Sequence, residues 1–226
     1  TWISEVMLQQ TQVKTVIPYF NRWMKRFPAI KDVACTDIDT ILKYWEGLGY
    51  YSRAHNIKKA SDIIYNNMEG NLPQNKHLRE LPGIGDYMEG SIMSIAFNKP
   101  YPAIDGNVKR VFSRLLCENF QSSLDIKKLK YYISQKIHKK RPGCFNQAIM
   151  DLGREICKPS SPICIECPIQ KNCMAFSKKL VSKYPQKAIK KAIPSFDVVV
   201  GLIINRNKNF LITKRPKNKM LGGLWE

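Results

Sequence analysis

Two segments, Leu81-Pro-Gly-Ile-Gly-Asp-Tyr87 and Ala103-Ile-Asp-Gly-Asn-Val-Lys-Arg110, decide the fold of this chain. In the first segment the proline presets its own φ, and Gly83 and Gly85 allow backbone conformations that other residues avoid. This pattern predicts a tight hairpin between two helices, with Asp86 placed to cap the second helix. Such a hairpin can lie close to a phosphate, because no side chain intervenes and a helix N-terminus favours an anion.

The second segment places a carboxylate at the start of another helix. Asp105 precedes Asn107, from which an amphipathic pattern continues to Cys117. Taken alone, the first segment would be an ordinary helix connection, and Asp105 would be only an N-cap. A hairpin suited to phosphate beside a carboxylate instead indicates chemistry on nucleic acid.

The charge of the chain also indicates a polyanionic partner. The chain holds 37 Lys and Arg against 18 Asp and Glu, a formal net charge of +19. Charge alone does not separate nucleic acid from an anionic membrane. No apolar run is long enough to span a bilayer, and we expect no membrane partner.

Hydrophobic periodicity divides the chain into a helical part and a β-containing part. A basic linker at 177–194 separates a helical unit at 1–176 from strands predicted at 196–204 and 210–215 in a unit at 195–226. We also predict that the sequence is a fragment cut at both ends, because it begins Thr1-Trp2 and ends within a strand-like motif. The apolar periods predict helices at 1–12, 15–26, 107–117, 126–139 and 145–157. A capping box of Thr36 and Asp39 predicts the start of another helix, and a further helix is predicted to begin at Ser52. The hairpin and its second helix are predicted at about 78–97.

Four of the seven cysteines are clustered within 17 residues, with the spacing C-x6-C-x2-C-x5-C. Zinc sites usually contain two short cysteine pairs, and here there is one, so a compact all-cysteine loop favours an iron–sulfur cluster over zinc. The odd number of cysteines in a lysine-rich chain indicates a reducing, intracellular compartment. The proposed cluster ligands are Cys157, Cys164, Cys167 and Cys173.

Five motifs in this order resemble those of the helix-hairpin-helix DNA glycosylase superfamily, and within it the MutY-type adenine DNA glycosylases. They are Trp2-Ile-Ser-Glu-Val-Met-Leu-Gln-Gln-Thr-Gln12, Gly47-Leu-Gly-Tyr-Tyr51, Leu81-Pro-Gly-Ile-Gly85, Ile104-Asp-Gly-Asn-Val-Lys-Arg-Val111 and the cysteine loop. The resemblance implies a mainly α helix-hairpin-helix glycosylase fold with one [4Fe-4S] cluster in the loop at 157–173. Leu221-Gly-Gly-Leu-Trp-Glu226 also resembles the start of the Nudix-like C-terminal domain that helps this family to recognise 8-oxoguanine.

The implied activity is monofunctional base excision, in which adenine mispaired with 8-oxoguanine or guanine is hydrolysed from double-stranded DNA to leave an abasic site. Glu5 matches the general acid that protonates adenine N7, and Asp105 matches the carboxylate that stabilises the sugar cation. Tyr87 and Asn107 match supporting polar groups. This arrangement follows the two-carboxylate logic of glycoside hydrolysis.

The resemblance also implies a set of DNA contacts and a setting for the protein. We expect a monomer, located in the cytoplasm with the nucleoid if the source is bacterial. The residues matched to DNA contacts are Gln10, Thr11, Leu48, Tyr50, Leu81, Gly83, Gly85 and Lys109.

Two features distinguish this chain from related enzymes and affect which activities remain possible. Bifunctional relatives such as endonuclease III carry a Schiff-base lysine where this chain has Tyr87, so we expect no β-lyase step by that route. The family usually places small residues where this chain has Met88-Glu89, and a carboxylate there could either repel phosphate or point to solvent. The alternatives are an endonuclease III-like enzyme, another mismatch glycosylase acting on thymine or uracil, or a catalytically impaired iron–sulfur module that binds DNA.

Overall fold

The computed structural model describes residues 1–186, 195, 197, 199–216 and 222–226. The chain divides into two units, Thr1–Ala188 and Ile189–Glu226. The described part of the first unit contains α1 (Trp2–Leu8), α2 (Val13–Arg26), α3 (Ile30–Ala34), α4 (Ile38–Trp45), α5 (Ser52–Asn67), α6 (Asp86–Ser91), α7 (Gly106–Leu116), α8 (Ser123–Ser134), α9 (Pro142–Asp151) and α10 (Met174–Ser177). Helices α6 and α9 continue as π turns, Ile92–Ala96 and Leu152–Ile156, and 3-10 turns occupy Lys76–Glu80, Cys164–Glu166, Gln170–Asn172 and Val181–Lys183. No helix in these described ranges is both long enough and apolar enough to cross a bilayer.

The predicted mainly helical fold is confirmed, with corrections at two caps. Asp37, and not the predicted Thr36, caps α4, because its Oδ1 accepts from the N–H of Thr40 at 2.8 Å. The cap of α6 is Gly85, and Asp86 is the first helical residue, where its carboxylate pairs with Arg79. The short helix α3 was not predicted, since five residues are too few to show a helical period.

Two apolar cores hold the helices together. The first is built around Trp23, which is fully buried and has its ring centroid 4.9 Å from Phe27 and 5.7 Å from Trp45. The second joins α7 and α8 through Val108, Phe112, Phe120, Leu129 and Ile133. Helix α1 contacts α6, and α7 contacts the π turn after α9. Helices α1 and α6 therefore meet, and Gly90 of α6 lies against Pro102 and Ala103, which precede α7.

A buried glycine allows the close approach on which that arrangement depends. A Cβ added to Gly90 would lie 2.1 Å from the carbonyl oxygen of Pro102, which is a backbone atom and cannot move aside like a flexible side chain. Helix α6 therefore packs directly on the segment that leads into Asp105.

We predict that Gly90→Ala lowers the free energy of unfolding by about 1–3 kcal/mol, the usual cost of overpacking. Denaturant unfolding monitored by circular dichroism would measure this change. The control is Gly106→Ala, because a Cβ at Gly106 would meet no atom within 4 Å. Equal stability of the two variants would contradict the close packing of α6.

The second unit differs from the predicted β structure. Residues 196 and 198 lie outside the described set, and the described residues from 199 onward form isolated antiparallel bridges, Ile204 with Phe210 and Lys214 with Trp225, without a continuous strand. The turn at Asn205–Asn209 lies where the sequence predicted it, and the N–H of Asn205 donates to the carbonyl of Asn209 at 2.9 Å. Short paired segments without a covered face are marginal in isolation, and Val199 is 96% exposed.

Candidate active site

The first predicted catalytic residue, Glu5, lies in the first turn of α1 and is half-buried. The hydroxyl of Tyr87 donates a hydrogen bond of 2.7 Å to Glu5 Oε2. The same hydroxyl lies 3.6 Å from the sulfur of Met150 in α9. The Tyr87 phenol thus links α6 to α1, across 82 positions of the sequence, and also contacts α9.

The second predicted carboxylate, Asp105, is the N-cap of α7. Its Oδ1 accepts from the N–H of Val108 at 2.7 Å, and its Oδ2 accepts from the side-chain amide of Asn107 at 2.8 Å. These two bonds fix the orientation of a half-buried carboxylate. Asp105 is therefore both a helix cap and a positioned negative charge.

Both carboxylates raise the pKa of the Tyr87 phenol. Burial raises the pKa of the Tyr87 phenol, and the negative charges of Glu5 and then Asp105 raise it further. A carboxylate raises the pKa of a neighbouring phenol because it repels the phenolate. Tyr87 therefore stays a neutral hydrogen-bond donor to Glu5.

This shift predicts a pH dependence of stability. A pKa raised above the usual value of about 10 means that the stability linked to Tyr87 is present below pH 10 and is lost as the pH rises further. The free energy of unfolding of the wild type should fall relative to Tyr87→Phe above about pH 10, by at most about 1.4 kcal/mol per pH unit.

Urea unfolding at pH 8 and at pH 10.5 would measure this difference. Tyr131→Phe is the control, because Tyr131 is 71% exposed. If the difference between wild type and Tyr87→Phe stays constant over this pH range, Tyr87 does not titrate as described.

The sequence did not single out Arg110, which extends the network behind the site. Its Nη2 donates to Asn107 Oδ1 and to the carbonyl of Gly153, both at 2.8 Å, and its Nε donates to the carbonyl of Cys157 at 2.8 Å. Burial lowers the pKa of Arg110. The spacing of Arg110 from Asn107 could have identified it, since residues three positions apart lie on the same face of a helix.

The hairpin presents its glycines outward and its apolar residues inward. Gly83 has φ +80° and, like Gly85, is exposed, whereas Leu81 and Ile84 are buried. Any contact of Leu81 with DNA would therefore involve its backbone.

Glu89, the residue that departs from the family pattern, is turned into a four-charge cluster consisting of Arg79, Asp86, Glu89 and Lys130. Its carboxylate lies 3.6 Å from Arg79 and 3.6 Å from Lys130, and its side chain is only 12% exposed. Asp86 pairs with the same two cations, and the Arg79 contact lowers the pKa of Asp86. Two positive and two negative charges thus compensate each other beside the hairpin.

Two turns carry the other residues matched to DNA contacts. Gln10 follows α1 with φ 57°, and Tyr50 precedes α5 with φ 47°, both in the left-handed region that non-glycine residues seldom adopt. Tyr50 is 55% exposed, whereas Leu48 is buried. Thr11 lies in the first turn, and its hydroxyl bonds the Gln9 carbonyl at 3.4 Å. Lys109 lies on α7, in a cleft that Asp86 and Lys130 also line.

The four clustered cysteines line one cavity, together with Arg114 and Gln170. Burial raises the pKa of the Cys164 thiol, and the neighbouring sulfurs of Cys157 and Cys173 raise it further. Within the described ranges, no three His, Cys, Asp or Glu side chains converge on a point suited to a single metal ion. The cysteines therefore share a cavity without meeting at one point.

Arg114 is a second functional candidate that the sequence did not reveal. It is 4% exposed, and its Nη1 lies 3.3 Å from Cys157 Sγ and donates to the carbonyl of Lys158 at 2.7 Å. Its Nε donates to the carbonyl of Tyr184 at 2.9 Å. The positive charge of Arg114 lowers the pKa of the Cys164 thiol, against the larger effect of burial.

Comparisons with known proteins agree with this geometry. Residues 3–130 match the sequence model of the HhH-GPD superfamily base excision DNA repair proteins. Adenine DNA glycosylases from Buchnera aphidicola subsp. Acyrthosiphon pisum, Arabidopsis thaliana and Homo sapiens are 40%, 36% and 39% identical over 97%, 100% and 77% of this chain. The chain spans 63%, 41% and 33% of the lengths of these relatives.

Solved structures share the fold. A thermostable thymine-DNA glycosylase aligns with a TM-score of 0.70 and 26% identity over 78% of this chain and 83% of its own. A trapped endonuclease III–DNA covalent intermediate aligns with a TM-score of 0.69 and 24% identity over 79% of this chain and 84% of its own. At that identity the second match supports the fold alone.

Proposed function

Because this chain belongs to the HhH-GPD superfamily of base excision DNA repair proteins, we propose that it is a monofunctional glycosylase. Its substrate would be adenine mispaired with 8-oxoguanine or guanine in double-stranded DNA, and its product an abasic site. The observation that carries this proposal is the hydrogen bond from the neutral Tyr87 phenol to Glu5, together with Asp105, whose carboxylate is held at the start of α7 and raises the pKa of the same phenol. The relatives named adenine DNA glycosylases supply the choice of base.

The reaction requires an acid for the leaving group and a negative charge for the sugar. An adenine within a duplex must first be flipped out of the stack. Glu5 then protonates adenine N7 as the N-glycosidic bond breaks, and Asp105 stabilises the positive charge that develops on the sugar. Water adds to the sugar carbon to give the abasic site, and the proton that it releases replaces the one that Glu5 lost. The bonds from Val108 and Asn107 hold the Asp105 carboxylate in place during this step, and Tyr87 holds Glu5.

The absence of an amine at position 87 explains why we propose hydrolysis without strand cleavage. A phenol cannot form a Schiff base with the sugar, and Tyr87 is bonded to Glu5. The ion pairs of Glu89 with Arg79 and Lys130 also weaken the alternative of an impaired protein, since that carboxylate is compensated.

Duplex DNA would be held by the hairpin and by the two turns that carry Gln10 and Tyr50. The glycines of the hairpin leave backbone N–H groups accessible to a phosphate. The net charge of +19 supports this partner, and a reducing intracellular compartment that contains DNA is the setting we propose. We also propose that residues 195–226 begin a Nudix-like domain that contributes to the recognition of 8-oxoguanine.

We propose that Cys157, Cys164, Cys167 and Cys173 hold one [4Fe-4S] cluster. Four cysteines lining one cavity match the all-thiolate donor set of such clusters. When bound, the cluster would fix the loop at 157–173 by four bonds. The residues Arg114 and Gln170 support the loop, since Gln170 Nε2 donates to the Cys164 carbonyl at 2.9 Å.

We expect Cys164→Ser to lose iron and visible absorbance and to unfold at a lower temperature, because one of four ligands is removed. Iron and sulfide analysis of protein purified without oxygen would measure the loss. Cys35→Ser is the control, since Cys35 lies outside the loop and is exposed. Stoichiometric zinc in the wild type would contradict the cluster proposal.

The activity is tested with a duplex that holds one adenine opposite 8-oxoguanine, under single-turnover conditions. Each reaction is divided, and one aliquot is treated with alkali, which cleaves abasic sites. Strand breaks only after alkali would support base removal without a lyase step. Breaks in both aliquots would favour an endonuclease III-like enzyme, and release of thymine or uracil from matching duplexes would favour another mismatch glycosylase.

A further inference from the structure

One charged residue, Arg53, is buried among the elements that are proposed to meet DNA. It is the second residue of α5 and is only 6% exposed. Its guanidinium makes no ion pair with a carboxylate among the described residues, and burial lowers its pKa. Burying such a charge is costly unless polar groups compensate it. The hydrogen-bond partners of Arg53 therefore indicate its structural role.

The first half of the guanidinium contacts the end of α1. Arg53 Nη1 donates to the carbonyls of Val6 at 3.0 Å, Met7 at 2.8 Å and Gln9 at 2.7 Å. The last carbonyls of a helix have no partner within the helix, and they carry partial negative charge. Arg53 therefore fixes the C-terminal end of the helix on which Glu5 lies.

The second half of the guanidinium contacts the turn before α5. Arg53 Nη2 donates to the carbonyls of Leu48 at 3.2 Å and Gly49 at 3.1 Å, and it lies 3.3 Å from the hydroxyl of Thr11. Its Cζ lies 5.3 Å from the ring centroid of Tyr50, within the range of a cation–π interaction. A single planar group thus bridges the turn at 9–11 and the turn at 48–50.

Each of these turns contains a residue whose backbone is held in a costly conformation. The φ values of Gln10 and Tyr50 are 57° and 47°, and such conformations persist where the surroundings determine them. Arg53 also shares a small cavity with Pro82 and Gly83 of the hairpin. The three elements proposed to contact DNA therefore meet at this one side chain.

We propose that Arg53 is a positioning residue that fixes the two turns relative to each other, so that discrimination of mispaired from matched duplexes depends on it. This inference rests on the proposed function, because it concerns the turns assigned there to DNA. Gln10 and Tyr50 must enter the duplex at a set separation. A variant that frees one turn from the other loses this separation, although its surface keeps the same charge.

The test compares Arg53→Lys with a matched control, Arg22→Lys. Lysine keeps the charge, but its single nitrogen cannot bridge both turns. Arg22 makes the same kinds of contact away from the turns, since its Nη2 donates to the Tyr44 carbonyl at 3.0 Å and its Cζ lies 4.9 Å from the Tyr19 ring centroid. The duplexes carry 2-aminopurine opposite 8-oxoguanine, or a matched pair at the same position.

We expect Arg53→Lys to weaken binding of the mispaired duplex by about ten-fold or more, the effect of losing one or two hydrogen bonds to a charged group. Binding of the matched duplex should change little, and the rise in 2-aminopurine fluorescence that reports base extrusion should shrink. Arg22→Lys should resemble the wild type in all three measurements. An equal loss for both duplexes, or an unchanged ratio of the two dissociation constants, would overturn the inference.

Amide hydrogen exchange without DNA provides a second measurement that a general loss of stability would not reproduce. In Arg53→Lys, the N–H groups of Thr11 and Leu48 should exchange faster together, while those in α8 stay unchanged. Acceleration in one turn only would overturn the bridging role. If Arg53→Lys does not fold, Arg53→Gln is compared in the same way, because its amide can reach only one turn.

The binding and fluorescence measurements require no bond cleavage, so they separate this inference from the proposed activity. If the wild type binds the duplex and extrudes the base but releases no adenine, the glycosylase activity is refuted. The comparison of Arg53→Lys with Arg22→Lys would still test the role of Arg53. A wild type that binds mispaired and matched duplexes equally would overturn the inference about Arg53.

Discussion

Glu5→Gln should lower the single-turnover rate of adenine release by about 10³-fold, within the usual range for the loss of a general acid. The amide cannot protonate adenine, but its oxygen can still accept the hydrogen bond that Tyr87 donates to Glu5 Oε2. Binding of the duplex should therefore stay close to that of the wild type. Quench-flow assays of base release, together with fluorescence anisotropy of a labelled duplex, would measure both quantities.

Glu155→Gln is the control for the loss of one negative charge. Glu155 is exposed and pairs with Arg154 at the surface, with 2.7 Å between the carboxylate and Nε. It should release adenine at the wild-type rate. Retention of a tenth or more of the wild-type rate by Glu5→Gln would mean that another group protonates the leaving base.

Asp105→Asn should produce a similar loss of activity, about 10²–10³-fold, because the charge that we propose to stabilise the sugar cation is removed. Asparagine is as good an N-cap as aspartate, so the bond from the Val108 N–H is retained. The bond from the Asn107 amide is the one that is lost, at a cost of about 1 kcal/mol. We therefore expect a large loss of activity with only a small loss of stability. The release assay would measure the first, and urea unfolding would measure the second.

Asp37→Asn is a matched control for this substitution. Asp37 caps α4 in the same way that Asp105 caps α7, with its Oδ1 accepting from the N–H of Thr40 at 2.8 Å. We expect this variant to keep the wild-type rate. If Asp105→Asn also keeps it, Asp105 serves α7 as a cap and nothing more.

The sequence predicted those parts of the structure that depend on spacing along the chain. Helices α5 and α7 show regular apolar periods, and the hairpin has glycines at fixed positions. The cap at Asp37 was missed by one residue, because neighbouring polar residues can reach the same N–H groups. The cap at Gly85 was also missed by one residue, because a glycine has no capping side chain that the sequence could reveal. The strands after 195 were overpredicted, because a strand depends on a partner that its own sequence does not specify.

The buried arginines were beyond the reach of the sequence for a related reason. The chain holds 37 lysines and arginines, and nothing in their local pattern marks Arg53 or Arg114 as buried. Their partners are carbonyl oxygens, which every residue carries, so the contacts leave no trace in residue type. Only the packing of α1 on α5 and of α7 on the cysteine loop brings those oxygens together.

The four-charge cluster beside the hairpin has a consequence for counterion release. Each phosphate neutralised by a cation contributes about 0.9 to the slope of log affinity against log salt concentration in double-stranded DNA. Arg79 and Lys130 are already neutralised by Asp86 and Glu89, so they displace few ions when a duplex binds. Contacts at the hairpin should therefore resist salt that weakens lysine contacts elsewhere, and this protein's affinity should depend on ionic strength less than its net charge suggests.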